Sequence, residues 1–138
     1  MATTVYIAGP YSQKNNINDI AGAIEEMPYK LRVVSTWHNT ERHQLDALSH
    51  NIDDLDRAEC VIVVAHLTVS YEGAPPLVGM RVCPPMRETY VEIGRALAAS
   101  KPVIVIFGDR SADFLSLRDP RVSTVPTVEL AALAAMRS

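Results

Sequence analysis

Apolar runs of strand length punctuate the chain at Val5-Tyr6-Ile7-Ala8, Leu31-Arg32-Val33-Val34, Val61-Ile62-Val63-Val64-Ala65 and Val103-Ile104-Val105-Ile106-Phe107. A weaker run lies at Val122-Ser123-Thr124-Val125. The third and fourth are continuously apolar, the pattern of strands covered on both faces. Helical periodicity fills the intervals. A first helix is predicted over 16–27, stopped at Met27-Pro28 because proline removes a backbone donor and restricts the residue before it. A second spans 41–58, with Asn39-Thr40 as its cap and Leu45, Leu48, Ile52 and Leu55 at helical steps. A third spans 86–100; its apolar stripe is Met86, Tyr90, Ile93 and Leu97, which leaves Glu88, Glu92 and Arg95 on a neighbouring face. A short fourth covers 112–118, and Pro126-Thr127 opens a terminal helix ending at Met136. Strands alternating with helices predict a parallel sheet with right-handed crossovers. The expected fold is therefore α/β: a flavodoxin-like or Rossmann-like three-layer sandwich, with a five-stranded parallel sheet and helices on both faces.

A length of 138 residues suits one domain, here 1–138, with a single core. With 48% hydrophobic and 21% charged residues the chain reads as an ordinary globular protein, and a formal charge of -3 offers no general attraction for a nucleic acid polymer or an anionic membrane. No apolar run approaches the ~20 residues that cross a bilayer, and Met1-Ala2-Thr3-Thr4 lacks the features of a signal peptide, so a cytoplasmic location is expected. Cys60 and Cys83 have neither zinc nor disulfide-scaffold spacing. His38, His43, His50 and His66 likewise form no metal-binding pattern, and no metal is expected.

The segment 66–86 is too long and too rich in proline and glycine for a plain strand-to-helix turn, and it reads as a lid over the carboxyl ends of the strands. A tolerated insertion or an oligomer contact is the alternative. Several familiar sites of this fold are missing. A lone Gly9 follows the first strand where a dinucleotide site needs Gly-x-Gly-x-x-Gly, and no phosphate-binding P-loop occurs. Thr36-Trp37-His38 lies just beyond the second strand, at the functional edge. Trp37 can stack on a base there or pack in the core, and His38 is the histidine placed to meet a ligand.

Glu92 sits in the first half of its helix, where the dipole favours a negative charge, while Glu88 one turn earlier opposes it. A solvated helix face, with Arg95 as an exposed ion-pair partner, is the plain reading. Opposed influences on one carboxylate near a crevice make it a candidate site.

Three blocks carry a resemblance: Val5-Tyr6-Ile7-Ala8-Gly9-Pro10-Tyr11-Ser12, then Asn51-Ile52-Asp53-Asp54-Leu55-Asp56-Arg57-Ala58-Glu59-Cys60-Val61-Ile62-Val63-Val64, then Val91-Glu92-Ile93-Gly94-Arg95-Ala96 followed by Lys101-Pro102-Val103-Ile104. In order and spacing they resemble the nucleoside 2-deoxyribosyltransferase-like superfamily, including its phage and bacterial branch. That superfamily contains deoxyribosyltransferases and hydrolases of the N-glycosidic bond of nucleoside 5'-monophosphates. The resemblance implies that Glu92 is the nucleophile attacking the anomeric carbon and that Tyr6 orients its carboxylate. The family's acid falls on Asn51, a departure, since an amide cannot protonate a leaving base. Either Asp53 or Asp54 then serves from a shifted register, or base departure is assisted differently. The candidate substrate-binding set is Gly9, Ser12, Trp37, His38, Arg87 and Glu88, and Ser12 and Arg87 with Lys14 are suited to a 5'-phosphate. No cofactor is implied, the partner is a nucleoside or nucleotide, and a homodimer or larger assembly is expected. The rival expectation is a nucleotide-binding protein of the same fold that senses or sequesters without turnover.

Overall fold

The computed structural model describes residues 3–9, 14–39, 44–64, 87–106 and 120–137; of residues 44–50, 87, 88 and 90 it describes the backbone. The elements run β1 (Thr3–Ala8), α1 (Lys14–Glu26), β2 (Leu31–Val33), α2 (Gln44–Arg57), β3 (Cys60–Val64), α3 (Arg87–Ala98), β4 (Val103–Ile106), β5 (Val122–Val125) and α4 (Val128–Arg137). The five strands form one sheet in the order β2-β1-β3-β4-β5, and every neighbouring pair is parallel. This is the flavodoxin-like order, whose topological switch lies between β1 and β3. Helix α1 packs against α4 and helix α2 against α3, giving a layer on each face.

Burial follows the sequence pattern. Every residue of β3 and β4 is buried, as is Val5–Ala8 of β1, because these strands have neighbours on both sides and helices on both faces. Edge strand β5 keeps Ser123 and Thr124 exposed. On α1 the core face is Ile17, Ile20, Ala21 and Ile24. On α3 it comprises Thr89, Ile93 and Ala96, with Leu97 partly buried. Ile93 and Leu97 are the described members of the predicted stripe, small Thr89 and Ala96 share their face, and Val91 is 58% exposed. The expected short helix at 112–118, the lid at 66–86, the first predicted residues of the second helix (41–43) and Met86 lie outside the described residues.

Three details fix how the helices carrying the candidate site are held. Gly9 follows β1 where an added Cβ would lie 2.6 Å from Ile17 Cδ1, which would have to swing aside, and 3.3 Å from the Val64 carbonyl oxygen, so close approach of α1 and β3 favours glycine there. The Arg95 guanidinium grips Asp56 with two hydrogen bonds of 2.9 and 2.8 Å, tying α3 to α2. Arg95 thus serves α2, where the sequence had offered Glu92 as its ion-pair partner. Lys101 Nζ donates to the Leu55 and Asp56 carbonyls at 2.7 and 2.8 Å, capping the C-terminus of α2 where orphan carbonyls and the helix dipole favour a cation.

Helix α3 ends in a Schellman motif: Ser100 N–H donates to Leu97 O and Lys101 N–H to Ala96 O, with Ser100 at φ 59°. A side chain in this left-handed region is strained. Ser100→Gly should therefore stabilise the protein by about 1 kcal/mol, read as a higher urea midpoint at unchanged slope.

Candidate active site

Tyr6 lies in β1 at 0% exposure, beside the switch point. Burial first, then the negative charge of Glu92, a hydrogen bond to it, and the charge of Asp54, hold the phenol far above its ordinary range. It is therefore a neutral O–H donor flanked by two carboxylates from two helices. The approach is loose, since Tyr6 Oη has no partner at ordinary hydrogen-bonding geometry. Glu92 is partly buried and turned toward the sheet. Its helix positions it because Ile93 and Ala96 anchor the adjoining core face.

Asp54 is 4% exposed and serves as a junction. Its Oδ2 accepts from Thr36 N–H at 3.1 Å and from the Thr36 hydroxyl at 2.7 Å, and its Oδ1 pairs with Arg57. The segment after β2 is thereby fastened to α2. Asn51, one turn nearer the start of α2, is partly buried, and its Oδ1 is buried with no hydrogen-bond partner.

Beyond the end of β2, side chains continue the pairing that backbone no longer provides. Ile7 N–H donates to Ser35 Oγ at 3.1 Å, and Trp37 Nε1–H donates to Ile7 O at 2.7 Å. Trp37 is buried, with its ring edge-on to His38. Of the two expectations for Trp37, packing is the one this contact describes.

Asn18 Oδ1 can only accept, so the neutral His38 ring donates to it from Nδ1–H at 3.2 Å, and Nε2 accepts from the Ser35 hydroxyl at 2.8 Å while Ser35 Oγ accepts from Ile7 N–H. His38 is thus a neutral, buried link between α1 and the β2 exit. Burial lowers its pKa to about 4, against the opposing influences of the Asp54 charge and Ser35. A folded-state value below the ordinary 6.5 means that the unfolded chain binds more protons between those two values. The contribution of His38 to stability is complete above pH 6.5 and is lost as pH falls toward 4, up to about 3 kcal/mol. Urea unfolding at stepped pH should show this decline, and His38→Gln should flatten it.

Neither a family model nor a curated protein sequence matches the chain. Solved structures do. The 2-desoxiribosyltransferase from Leishmania mexicana aligns over 98% of this chain and 97% of its own, with TM-score 0.63 and 18% identity. The 2-deoxyribosyltransferase from Bacillus psychrosaccharolyticus aligns over 97% and 96%, with TM-score 0.63 and 10% identity. The chain has the 2-deoxyribosyltransferase fold. The CMP N-glycosidase of Clostridium botulinum shares it, over 96% of each chain, with TM-score 0.58 and 16% identity. At such identities the likeness is one of fold.

On this deoxyribosyltransferase fold, Tyr6, Glu92 and Asp54 converge, and Asn51 stands one turn from Asp54 on the same helix. Gly9 closes β1 against α1, and His38 and Trp37 line the exit of β2 from within the packed core. Arg87 and Glu88 begin α3, with backbone alone described, and Ser12 lies outside the described residues. Among the described residues no cluster of histidine, cysteine, aspartate and glutamate is arranged to hold a metal ion, and no helix is long and apolar enough to cross a membrane. Ser35, Asn18 and Thr36 were not legible as site residues. Their hydrogen bonds to Ile7, His38 and Asp54 join positions 18 to 28 residues apart, for which a sequence carries no periodic signal.

Proposed function

We propose that the protein cleaves or transfers the N-glycosidic bond of a nucleoside or deoxynucleoside, or of its 5'-monophosphate, with Glu92 as nucleophile. The observation that carries this reading is the pairing of Glu92 with the buried, neutral Tyr6 phenol at the switch point of the sheet. A phenol that cannot ionise donates to one carboxylate oxygen and leaves the other to attack, while desolvation strengthens the charge at the reacting centre. The Glu92 oxygen forms a bond to C1' as the C1'–N bond breaks, through an oxocarbenium-like transition state. The bond pair leaves with the base nitrogen, which takes a proton from water, because the Asn51 amide has none to give. Water or a second base then attacks C1', and the ester bond to Glu92 breaks. The neighbours described as 2-deoxyribosyltransferases and as a CMP N-glycosidase lend support in kind, through a shared fold.

A second reading has an observation of its own. Asn51 carries an amide where the family's acid falls, and the Asp54 oxygens are engaged by Thr36 and Arg57, so a site that binds a nucleotide without turning it over is the competing proposal. Incubation with deoxynucleosides, ribonucleosides and their monophosphates, followed by chromatography of free base, separates the two. Base release that disappears in Glu92→Ala supports the enzyme. Release unchanged in that variant sinks the assignment of Glu92, and binding without release selects the second reading.

A further inference from the structure

Helix α4 carries charge only at its two ends, Glu129 in the first turn and Arg137 in the last. Its core face is Val128, Ala131, Ala132 and Ala135. The outward face is apolar too: Leu130 is 43% and Met136 38% exposed, with Leu133 and Ala134 half-buried between them. Its neighbour in the same layer, α1, instead exposes Asn15, Asn18, Asp19, Glu25 and Glu26. A helix that is apolar all round belongs where it is covered all round, and an exposed apolar ridge rimmed by charge marks a contact surface. What covers it is written in the order of its residues. Leu130 and Met136 stand three positions either side of Leu133, and Glu129 and Arg137 four positions either side. Steps of three and four keep all five on one face of the helix.

We infer that the outward face of α4 docks a second copy of this chain, packed antiparallel about a two-fold axis at Leu133. Turned end over end, the face meets itself: Leu133 comes to the level of the partner's Leu133, Leu130 to that of the partner's Met136, and Glu129 to that of the partner's Arg137. Opposite charges then stand together at both ends of the contact, and the two helix dipoles oppose. A parallel pairing would set carboxylate beside carboxylate and guanidinium beside guanidinium along aligned dipoles. Self-complementarity of this kind is what an isologous two-fold interface requires. Helices α1 and α4 form one layer and α2 and α3 the other, so the contact lies across the sheet from Glu92 and Asp54 and is independent of the reaction proposed above. A helix of ten residues is about 15 Å long, which puts the contact at the small end of specific interfaces and makes the dimer a weak, concentration-dependent one.

Sedimentation velocity of the full chain between about 1 and 200 μM should show monomer giving way to dimer. Leu130→Lys and Met136→Lys, each at an exposed position, should weaken association about 10-fold or more with an unchanged far-ultraviolet circular dichroism spectrum. Leu133→Cys reads the axis directly: mild oxidation should give a dimer on a denaturing gel that reductant dissolves and that the parent chain does not form. A chain that stays monomeric over the whole range overturns the inference, as does a dimer indifferent to both lysine variants. A dimer sensitive to those variants in which Leu133→Cys fails to cross-link overturns the two-fold axis at Leu133, and with it the antiparallel docking.

Discussion

Glu92→Gln should reduce base release by roughly 10⁴-fold while leaving the protein folded. The substitution keeps the shape of the side chain and its contact with Tyr6 but removes the lone-pair charge that attacks C1'. A nucleophile held in place is equivalent to a very high local concentration, and its loss at this scale corresponds to about 5.5 kcal/mol of activation free energy. Thermal unfolding is the control. The variant loses a partly buried charge lying near Asp54, so Tm should hold or rise. Chromatographic assay of free base reads the activity directly. A residual rate within tenfold of the parent would remove Glu92 from the chemistry, whatever the fold.

Asp54→Ala should have the largest effect on stability, a loss of about 3 kcal/mol in urea unfolding. The carboxylate is 4% exposed and answers both the N–H and the hydroxyl of Thr36. Alanine would strand those donors in a part-buried place. Arg57, whose side chain is 66% exposed, would turn to solvent at little cost. Asp54→Asn, which retains one acceptor oxygen, should lose much less. A proton donor with no role in the junction would leave unfolding unmoved in both variants, so the measurement distinguishes a fastening from an acid.

These outcomes trace to different levels of legibility. The strands were readable because β3 and β4 are buried on both faces, and burial on both faces leaves an unbroken apolar run. Helix α1 was readable to within two residues at its start, since Ile17, Ile20 and Ile24 recur at the helical period and Pro28 stops it. On α3 the predicted Ile93 and Leu97 do face the core, and Thr89 and Ala96 join them there. Thr89 and Ala96 are small, and their burial depends on how closely α3 approaches β3 and β4, which periodicity does not report.

The candidate site divides in the same way. Glu92 and Tyr6 stood out through a resemblance spanning blocks far apart in the chain. Arg95 was less legible: its neighbour at helical spacing is Glu92, but its guanidinium reaches across to Asp56 on another helix. Trp37 offered two uses, and the choice was made by an Ile7 carbonyl left open where β2 is shorter than β1.

The sequence by itself determined the alternation of strands and helices and the parallel sheet, because hydrophobic period and chain order are local properties that survive without coordinates. Tertiary structure decided the partners: Asp54 to Thr36, Arg95 to Asp56, His38 between Ser35 and Asn18, and Asn51 left with an open acceptor. Hydrogen bonds depend on distances of a few ångströms between residues remote in the chain, and those distances exist only after the helices have packed.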